Sequence, residues 1–519
     1  IDLSPSVSAG TFVTGPLPSV AITRNMIFAD FDEYDGNNDT WRRIPLDTSG
    51  PWSKYGHSVV MTRGGDLRFW GGRTCDYAAV TNCSAQEVNP NARLTLWTYQ
   101  QSWTPASSSM RDGRGNHTAT VLPGTTGYIL VAGGTNGPSV LRSAELYDPA
   151  LRTFTPTGDL NLARDLHTAS LLPNGKVLIA GGYAADSVST GPTTSAEIYY
   201  PREGVWRLTG SMTGARDSHS AITLPDGNIL VFGGYNGGGY LETAEIYYST
   251  VGVWRSIPAP TAAGTADFVT IPAGCNGEAP KRTKHTASLL RTGEIIFVGG
   301  INEAGVLSST LLLNLFNPSR TKGWYCGQRL GLNGAGAGTV RYVHSHSALA
   351  LPSGDILVSF GNDGQGHAET PPLALVYNPY DFPANGGWTN AVGINQTGVT
   401  FNHASVVLPG GTPVIVGGAR GMGQPQRGTM LFDRLLSTYT VIGNMTRPRA
   451  YHTVTLTLGQ ELVAIGGYSN GIFTNDAEYY PVTISAPPDA NMAGGPPSVR
   501  VSSITSVDTN GAIYTPGST

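Results

Sequence analysis

The stretch ARDLHTASLLPNGKVLIAGGYAADSVSTGPTTSAEIYYPREGVW, Ala163 to Trp206, returns in variant form from one end of the chain to the other. Its first half has two short apolar runs around a Pro-Asn-Gly-Lys turn, and its second half has two more around a turn that contains proline. Four strands in about 50 residues is the period of a propeller blade. One blade cannot bury its own faces, so several must stack around an axis. The repeat therefore predicts an all-β propeller of four-stranded antiparallel blades.

Eight first halves begin with a histidine, and eight of the 10 histidines therefore share one repeat position: His57, His117, His167, His219, His285, His346, His403 and His452. A basic residue stands three positions earlier in six units, at Lys54, Arg114, Arg164, Arg216, Arg282 and Arg449. Seven units end their second strand with Gly-Gly, whereas the sixth has Phe360-Gly361. We interpret the histidines as repeated structural hydrogen-bonding groups between blades, in preference to a metal-binding ring.

The eighth repeat, which contains AEYYPVTIS, lacks the aromatic residue that ends the other second halves. Residues 26–44 read as a second half without a first, so we expect this N-terminal strand pair to close the last blade. The sequence predicts eight blades, with seven as the alternative. It divides into an extended segment at 1–25, the propeller at 26–484, and a Pro/Gly linker with a strand segment at 485–519. That tail is either the start of a further domain or an arm for assembly.

Composition favours an extracellular protein without a nucleic-acid partner. The net charge is −4, charged residues make up 13%, and no basic cluster or membrane-spanning apolar run occurs. The four cysteines, Cys75, Cys83, Cys275 and Cys326, are compatible with two disulfides, within one loop and between neighbouring blades. The start at Ile1 is interpreted as the mark of a removed leader. Five N-glycosylation acceptors, a number expected by chance here, are compatible with secretion: Asn38, Asn82, Asn116, Asn395 and Asn444.

The repeats resemble kelch repeats, because RDLH or RDSH precedes a strand, a glycine turn, a strand ending in Gly-Gly, and a spaced Tyr and Trp. This resemblance covers about residues 26–484 and implies a fold that hosts enzymes and binding modules alike. The last repeat, RPRAYHTVTLTLGQELVAIGGYSN, is similar to the galactose and glyoxal oxidase group of copper radical oxidases. By that resemblance Tyr451 and His452 occupy the positions of two copper ligands.

The resemblance also requires a cysteine and a second tyrosine, cross-linked, before the histidines of two earlier blades, and a later histidine. The residues in those positions are Gly56, Asn116, Leu166, Ser218, Lys284, Ser345, Asn402 and Tyr451, and no histidine follows His452 in the sequence. Copper without the cross-linked pair would lack the second electron for alcohol oxidation. The sequence therefore favours a chain without copper or another cofactor.

Two further groups of residues could carry a function, although structural roles explain them better. His344, His346 and His367 could meet as metal ligands near one mouth of the ring. The loop aromatics Tyr77, Tyr183, Tyr235 and Tyr240 could stack on sugars. No phosphate-binding loop, HExxH motif or nucleophile elbow occurs in a supporting context.

These observations lead to three functional hypotheses. The first is a non-catalytic secreted module of a cell surface, extracellular matrix or filament, with protein or glycan partners and self-assembly through its terminal segments by strand addition. The second is a galactose/glyoxal-oxidase-like copper enzyme using Tyr451 and His452. The third is a lectin-like glycan binder.

Overall fold

The computed structural model describes residues 102–482 except 125–126, 186–189, 332–339, 365–373, 380–386, 391–399, 409–410, 422 and 434–437. Outside this range it describes only the backbone of short strands. The chain divides into two compact units, residues 101–482 and residues 1–100 with 483–519. All the regular elements described are β-strands, and none of the described residues form a helix long and apolar enough to cross a membrane.

The larger unit is a kelch-type β-propeller whose described residues form seven antiparallel blades and several smaller sheets. The strands are given from the innermost outward. Blade 1 consists of Thr118–Val121, Ile129–Ala132, Ala144–Asp148 and Thr153–Pro156, and blade 2 of Thr168–Leu171, Val177–Ala180, Ala196–Tyr200 and Val205–Leu208. Blade 3 consists of Ser220–Thr223, Ile229–Phe232, Ala244–Tyr248 and Val253–Ile257, and blade 4 of Thr286–Leu289, Glu294–Val298, Thr310–Asn314 and Gly323–Cys326. Blades 5 and 6 are Ser347–Ala350, Ile356–Ser359, Ala374–Asn378 and Gly387–Asn390; and Ala404–Val407, Pro413–Val416, Gln424–Asp433 and Thr438–Arg449.

Blade 7 closes the ring in a way that the sequence did not predict. Its strands are Thr453–Leu456, Glu461–Ile465, Ala477–Pro481 and, as the outer strand, Thr104–Pro105. Trp103 supplies the missing aromatic: its ring lies 5.5 Å from that of Tyr480, and its Nε1 donates to Thr429 Oγ1 at 2.7 Å. The prediction that the N-terminal strand pair of residues 26–44 closes the last blade is therefore wrong. Trp103 belongs to the last blade and not to the unit that begins at His57.

Eight blades are not confirmed, since the described strands of residues 102–482 already form a ring of seven. The predicted closing pair, Asp30–Asp35 with Thr40–Pro45, instead forms a sheet with Thr11–Phe12 in the smaller unit. The same unit contains a sheet of Lys54–Met61, Asp66–Thr74 and Arg93–Thr95, and a pair of Ser506–Val507 with Ile513–Tyr514. His57 lies in the second of these sheets.

Short additional strands lie at one mouth of the ring, in the segments that follow the glycine pairs. Arg164–Asp165, Tyr183–Ala185 and Thr190–Pro192 form one such sheet. The others are Ile301–Asn302 with Gly305–Val306, Ala419–Arg420 against Gln424–Pro425, and Tyr468–Ser469 with Ile472–Phe473. We call this surface the mouth face.

The glycine pairs make room for the histidine of the following blade. Gly181 has φ of +61°, and a Cβ there would lie 2.8 Å from Cε1 of His219 and 2.5 Å from the carbonyl oxygen of Arg216. Only glycine accepts both the conformation and the contact without strain. In blade 5, Phe360 keeps the left-handed φ of +53°, and its ring meets His403 edge-on at 5.7 Å. That substitution explains why this unit departs from the repeat.

Candidate functional site

A closed circle of backbone hydrogen bonds surrounds the axis at the mouth face. It is formed by the residue that precedes each histidine, and all seven have positive φ between 49° and 58°: Asn116, Leu166, Ser218, Lys284, Ser345, Asn402 and Tyr451. Each N–H donates to the carbonyl of its counterpart in the preceding blade. The shortest of these hydrogen bonds is the one that Ser218 donates to Leu166, at 3.0 Å, and the longest is the one that Leu166 donates to Asn116, at 3.4 Å. Asn116 donates to Tyr451 at 3.2 Å and closes the circle. Seven blades are therefore sufficient for closure.

The side chains of this circle line the mouth with mixed chemistry. Lys284 and Tyr451 are exposed, Tyr451 by 39%, and the other members are half-buried. Burial, opposed by a hydrogen bond with Asn402, raises the pKa of the Tyr451 phenol. Within this circle the only tyrosine is Tyr451, and none of its members is a cysteine. The mouth therefore presents amides, hydroxyls, one cation and one aromatic ring.

Just outside the circle, the histidines form a second ring between the blades. Six imidazole Nε2 atoms contact the hydroxyl of the residue that follows the histidine of the preceding blade: His117 with Thr453, His167 with Thr118, His219 with Thr168, His285 with Ser220, His346 with Thr286 and His403 with Ser347, at 2.8 to 3.1 Å. Each contact joins neighbouring blades. The ring is a structural device that repeats at six of the seven blade junctions.

Burial keeps these imidazoles neutral. Desolvation lowers the pKa of His167, His346 and His452 to about 3 and that of His403 to about 4. The pKa values of His117, His219 and His285 also lie well below the ordinary value, with nearby arginines as a second cause. In a neutral imidazole one ring nitrogen donates and the other accepts, and a hydroxyl can pair with either, so each Nε2 can bond its hydroxyl in either tautomer.

The seventh link is missing at His452. The corresponding residue of blade 6 is Ala404, which has no hydroxyl, and among the described residues neither ring nitrogen of His452 makes a hydrogen bond of normal geometry. A backbone interaction with Val416 only partly offsets the burial that lowers its pKa. His452 is 6% exposed. An unpaired buried polar atom costs about 1–3 kcal/mol, so this is a weak point in the ring.

Replacing Ala404 with Thr is expected to raise the free energy of unfolding by about 1 kcal/mol, because the new hydroxyl would meet His452 Nε2. Urea unfolding monitored by tryptophan fluorescence measures the change. Ala404→Val is the matched control, since valine has the shape of threonine without the hydroxyl. Equal midpoints for the Thr and Val variants would show that His452 makes no such bond.

The arginines three positions before the histidines form hydrogen bonds and ion pairs within their own blades. Arg164 is fully buried, donates from Nη1 to the Gly181 carbonyl at 2.8 Å, and forms an ion pair with Glu197 at 2.7 Å. The same pairing occurs in three other blades, as Arg114 with Glu145, Arg216 with Glu245 and Arg449 with Glu478. The glutamates are partners that the sequence reading missed, although the recurring SAE and TAE motifs mark them.

The candidate copper residues do not converge. Tyr451 lies at the open mouth, whereas the His452 imidazole is buried between blades 6 and 7, where a Cβ on Gly417 would lie 2.8 Å from its Cε1. The described residues contain no group of three or more His, Cys, Asp or Glu side chains that could hold a metal ion. As placed here, the described side chains therefore do not fit a copper centre.

The histidines considered as a second metal group, as far as they are described, also lie apart. His344 is half-buried with Nδ1 on Ser345 Oγ at 3.0 Å, whereas His346 binds Thr286 between the blades. Burial and the nearby Lys284 ammonium lower the pKa of His344 to about 4. His367 lies outside the described residues.

The loop aromatics do come to the mouth face. Tyr183 and Tyr235 follow the glycine pairs of blades 2 and 3, and both are half-buried. The rings of Tyr235 and Tyr240 meet edge-to-face at 5.5 Å, and the Tyr235 hydroxyl donates to the Gly237 carbonyl. Tyr77 lies outside the described residues.

A disulfide joins Cys275 and Cys326. Cys275 belongs to the connection between blades 3 and 4, and Cys326 ends the outer strand of blade 4. The same connection pairs Val269 with Gly323, and Glu278 accepts hydrogen bonds from the Ser308 and Ser309 amides. The disulfide thus holds an extra segment against the outer edge of blade 4. Cys75 and Cys83 lie outside the described residues.

Two of the five glycosylation acceptors are described in side-chain detail. Asn444 is exposed on the outer strand of blade 6, whereas Asn116 belongs to the mouth circle. Asn38, Asn82 and Asn395 lie outside the described residues. Among the described acceptors, Asn444 has the geometry of an accessible site.

The sequence of the repeats is similar to that of known kelch proteins. A sequence model of the kelch motif matches residues 218–261. Adagio-like protein 1 of Oryza sativa subsp. japonica is 27% identical over 230 residues, covering 39% of this chain and 33% of the rice protein. Kelch-like protein 35 of Mus musculus is 30% identical over 128 residues, covering 24% of this chain and 21% of the mouse protein. The chain thus spans a third or less of the length of these relatives.

A similar solved structure is described as a novel fungal alcohol oxidase with catalytic diversity among the AA5 family, in complex with copper. It has a TM-score of 0.56 and 17% sequence identity, and the match covers 74% of this chain and 76% of that one. At this identity the similarity establishes the fold. The chain therefore has a kelch-type propeller that resembles the propeller of copper radical oxidases.

Proposed function

We propose that this kelch-type propeller is a non-catalytic binding module of an extracellular surface, matrix or filament. The observation that supports this best is the composition of the mouth circle. Six of its seven members are neither tyrosine nor cysteine, and the one tyrosine is separated from the buried imidazole of its neighbour. The mouth offers side chains that bind a partner rather than an assembled redox centre.

Two further features agree with this proposal. The mouth combines exposed Lys284 and Tyr451 with half-buried amides, and loops that carry polar and aromatic groups on a rigid ring are typical of binding surfaces. The disulfide between Cys275 and Cys326 is of the kind that persists in oxidising compartments. We infer an extracellular location and protein or glycan partners.

The second candidate is an oxidase related to the copper radical enzymes. It is favoured by the Tyr451-His452 pair in the last blade and by the resemblance of the propeller to the fungal alcohol oxidase. For this function His452 would have to leave its place between the blades and join Tyr451. Copper, when bound, would supply the one-electron chemistry that these side chains lack.

Copper loading separates the two candidates. Full-length protein incubated with Cu(II) and dialysed is expected to retain far less than one copper per chain, and to release no hydrogen peroxide from alcohols or aldehydes. Metal analysis and a peroxidase-coupled assay measure both quantities. Stoichiometric copper and peroxide release lost in Tyr451→Phe, but retained in the control Tyr468→Phe, would establish the oxidase instead.

A further inference from the structure

Blades 2 and 3 each place an aspartate directly opposite a tyrosine at the mouth face. Asp165 pairs with Tyr183 in antiparallel register, and Asp217 pairs with Tyr235 through reciprocal backbone hydrogen bonds of 2.9 and 3.0 Å. Directly opposed residues project to the same side of a sheet, so each carboxyl group shares a side with a tyrosine ring. We call these four residues the Asp-Tyr corner.

The two halves of the corner are neighbours. The residues that follow the aspartates, Leu166 and Ser218, are joined in the mouth circle at 3.0 Å. Among the described residues, no other blade carries this combination; the equivalent pairs are Gly115 with Thr135, Thr283 with Ile301, His344 with Asn362, Phe401 with Ala419 and Ala450 with Tyr468. The corner is a local feature of two adjacent blades and not a property of the repeat.

The negative charge of this corner is incompletely balanced. Asp165 is 8% exposed, and its Oδ1 has no hydrogen-bond partner within the described residues. Burial, and then the neighbouring Asp217 carboxylate, raise the pKa of Asp165 to about 6. Burial raises the pKa of Asp217, and a hydrogen bond with Ser218 and the charge of Lys284 only partly oppose this. Arg164 and Arg216 are paired with Glu197 and Glu245 instead. A cationic group from outside would relieve this repulsion.

We propose that the Asp-Tyr corner binds the guanidinium group of an arginine side chain on a protein partner. Guanidinium suits the corner better than ammonium does, because its planar N–H groups can bond two carboxylates while its face stacks on a tyrosine ring. The edge-to-face contact with Tyr240 holds Tyr235 in position as one wall. This inference rests on the proposed binding function and specifies the chemistry of the partner.

Titration of the full-length protein with Nα-acetyl-arginine amide, followed by NMR or calorimetry, tests the proposal. Saturable millimolar binding is expected, and Nα-acetyl-citrulline amide should bind at least tenfold more weakly because it has nearly the same shape without the charge. Asp217→Asn should weaken arginine binding at least fivefold. Asp226→Asn removes the same charge from an exposed turn of the same blade, so it should leave the affinity unchanged.

Several outcomes would overturn the proposal. They are equal affinity for the arginine and citrulline amides, no saturable binding of arginine by the wild type, and an equal loss in Asp217→Asn and Asp226→Asn. The comparison of the two amides uses unmodified protein, so it stands even if a variant fails to fold. Failure here with no copper oxidase activity would discard the arginine partner alone, whereas oxidase activity would discard the binding-module function itself.

Discussion

Acidification from pH 7 to about pH 5 is expected to remove most of the folding stability of the propeller, because in this range the unfolded chain binds more protons than the folded chain does. The histidines responsible are His117, His167, His219, His285, His346, His403 and His452, whose folded-state pKa values are lowered by burial. Their unfolded pKa is near 6.5. The free energy of unfolding is therefore highest above pH 6.5 and falls continuously as the pH drops toward the folded values.

The size of this effect follows from proton linkage. Each such histidine removes roughly 1 kcal/mol per pH unit once the unfolded form is protonated, so seven together remove several. A typical domain has only about 5–15 kcal/mol in total. Asp165, Asp217 and Glu145 act in the opposite direction, because burial raises their folded pKa values, but they are three carboxyl groups against seven histidines.

Urea unfolding at pH 7, 6 and 5 measures the slope. His219→Gln should remain folded at pH 7 and lose less stability per pH unit than the wild type, by the share of one histidine. The control is Asn174→Gln, since Asn174 lies in an exposed turn and does not titrate. His344→Gln should also reduce the slope, because the pKa of His344 is lowered to about 4. A free energy of unfolding that stays constant between pH 7 and pH 5 would contradict the neutral histidine ring.

Glu197→Leu is expected to destabilise the propeller by about 3–5 kcal/mol, because it leaves the Arg164 guanidinium buried without its carboxylate. The backbone amides of Asn161 and Leu162 would lose their acceptor as well. Blade 5 has an apolar pair in place of this ion pair, since Val343 occupies the position of Arg164 and Leu375 that of Glu197, and both are buried. The double variant Arg164→Val with Glu197→Leu should therefore recover at least half of the lost stability.

Chemical unfolding of both single variants and the double variant forms a double-mutant cycle. Glu203→Leu is the matched control, because the Glu203-Arg207 pair is half exposed and should contribute almost nothing. Additive losses in the cycle would mean that Arg164 and Glu197 do not act as a pair.

Blade 4 shows how the chain tolerates a buried arginine without that carboxylate. In blade 4 Leu311 occupies the position of the glutamate, and the Nε of Arg282 donates to the Pro280 carbonyl at 2.9 Å. The Nε of Arg164 has no such partner among the described residues. Burial lowers the pKa of Arg282 to about 9, with Glu278 as the opposing charge. The extra hydrogen bond explains why loss of the glutamate is expected to be worse in blade 2.

The local sequence determined the all-β class, the four-strand repeat, and the positions of the histidines and glycine pairs. These features follow from alternation along a strand and from the glycine that a left-handed turn requires, and neighbouring residues suffice to reveal them. The same reasoning identified Tyr451 and His452 as adjacent residues. It could not show that one side chain would face the mouth and the other the space between two blades.

Only the tertiary structure decided which residues meet around the ring. Thr104 and Tyr479 pair although most of the propeller separates them in the sequence, and Trp103 thereby belongs to blade 7. The unpaired His452 depends on Ala404 in the preceding blade, and the Asp-Tyr corner depends on two blades lying side by side. Such contacts follow from the rotation between successive blades, which is set by packing between sheets and leaves no periodic signal within one repeat.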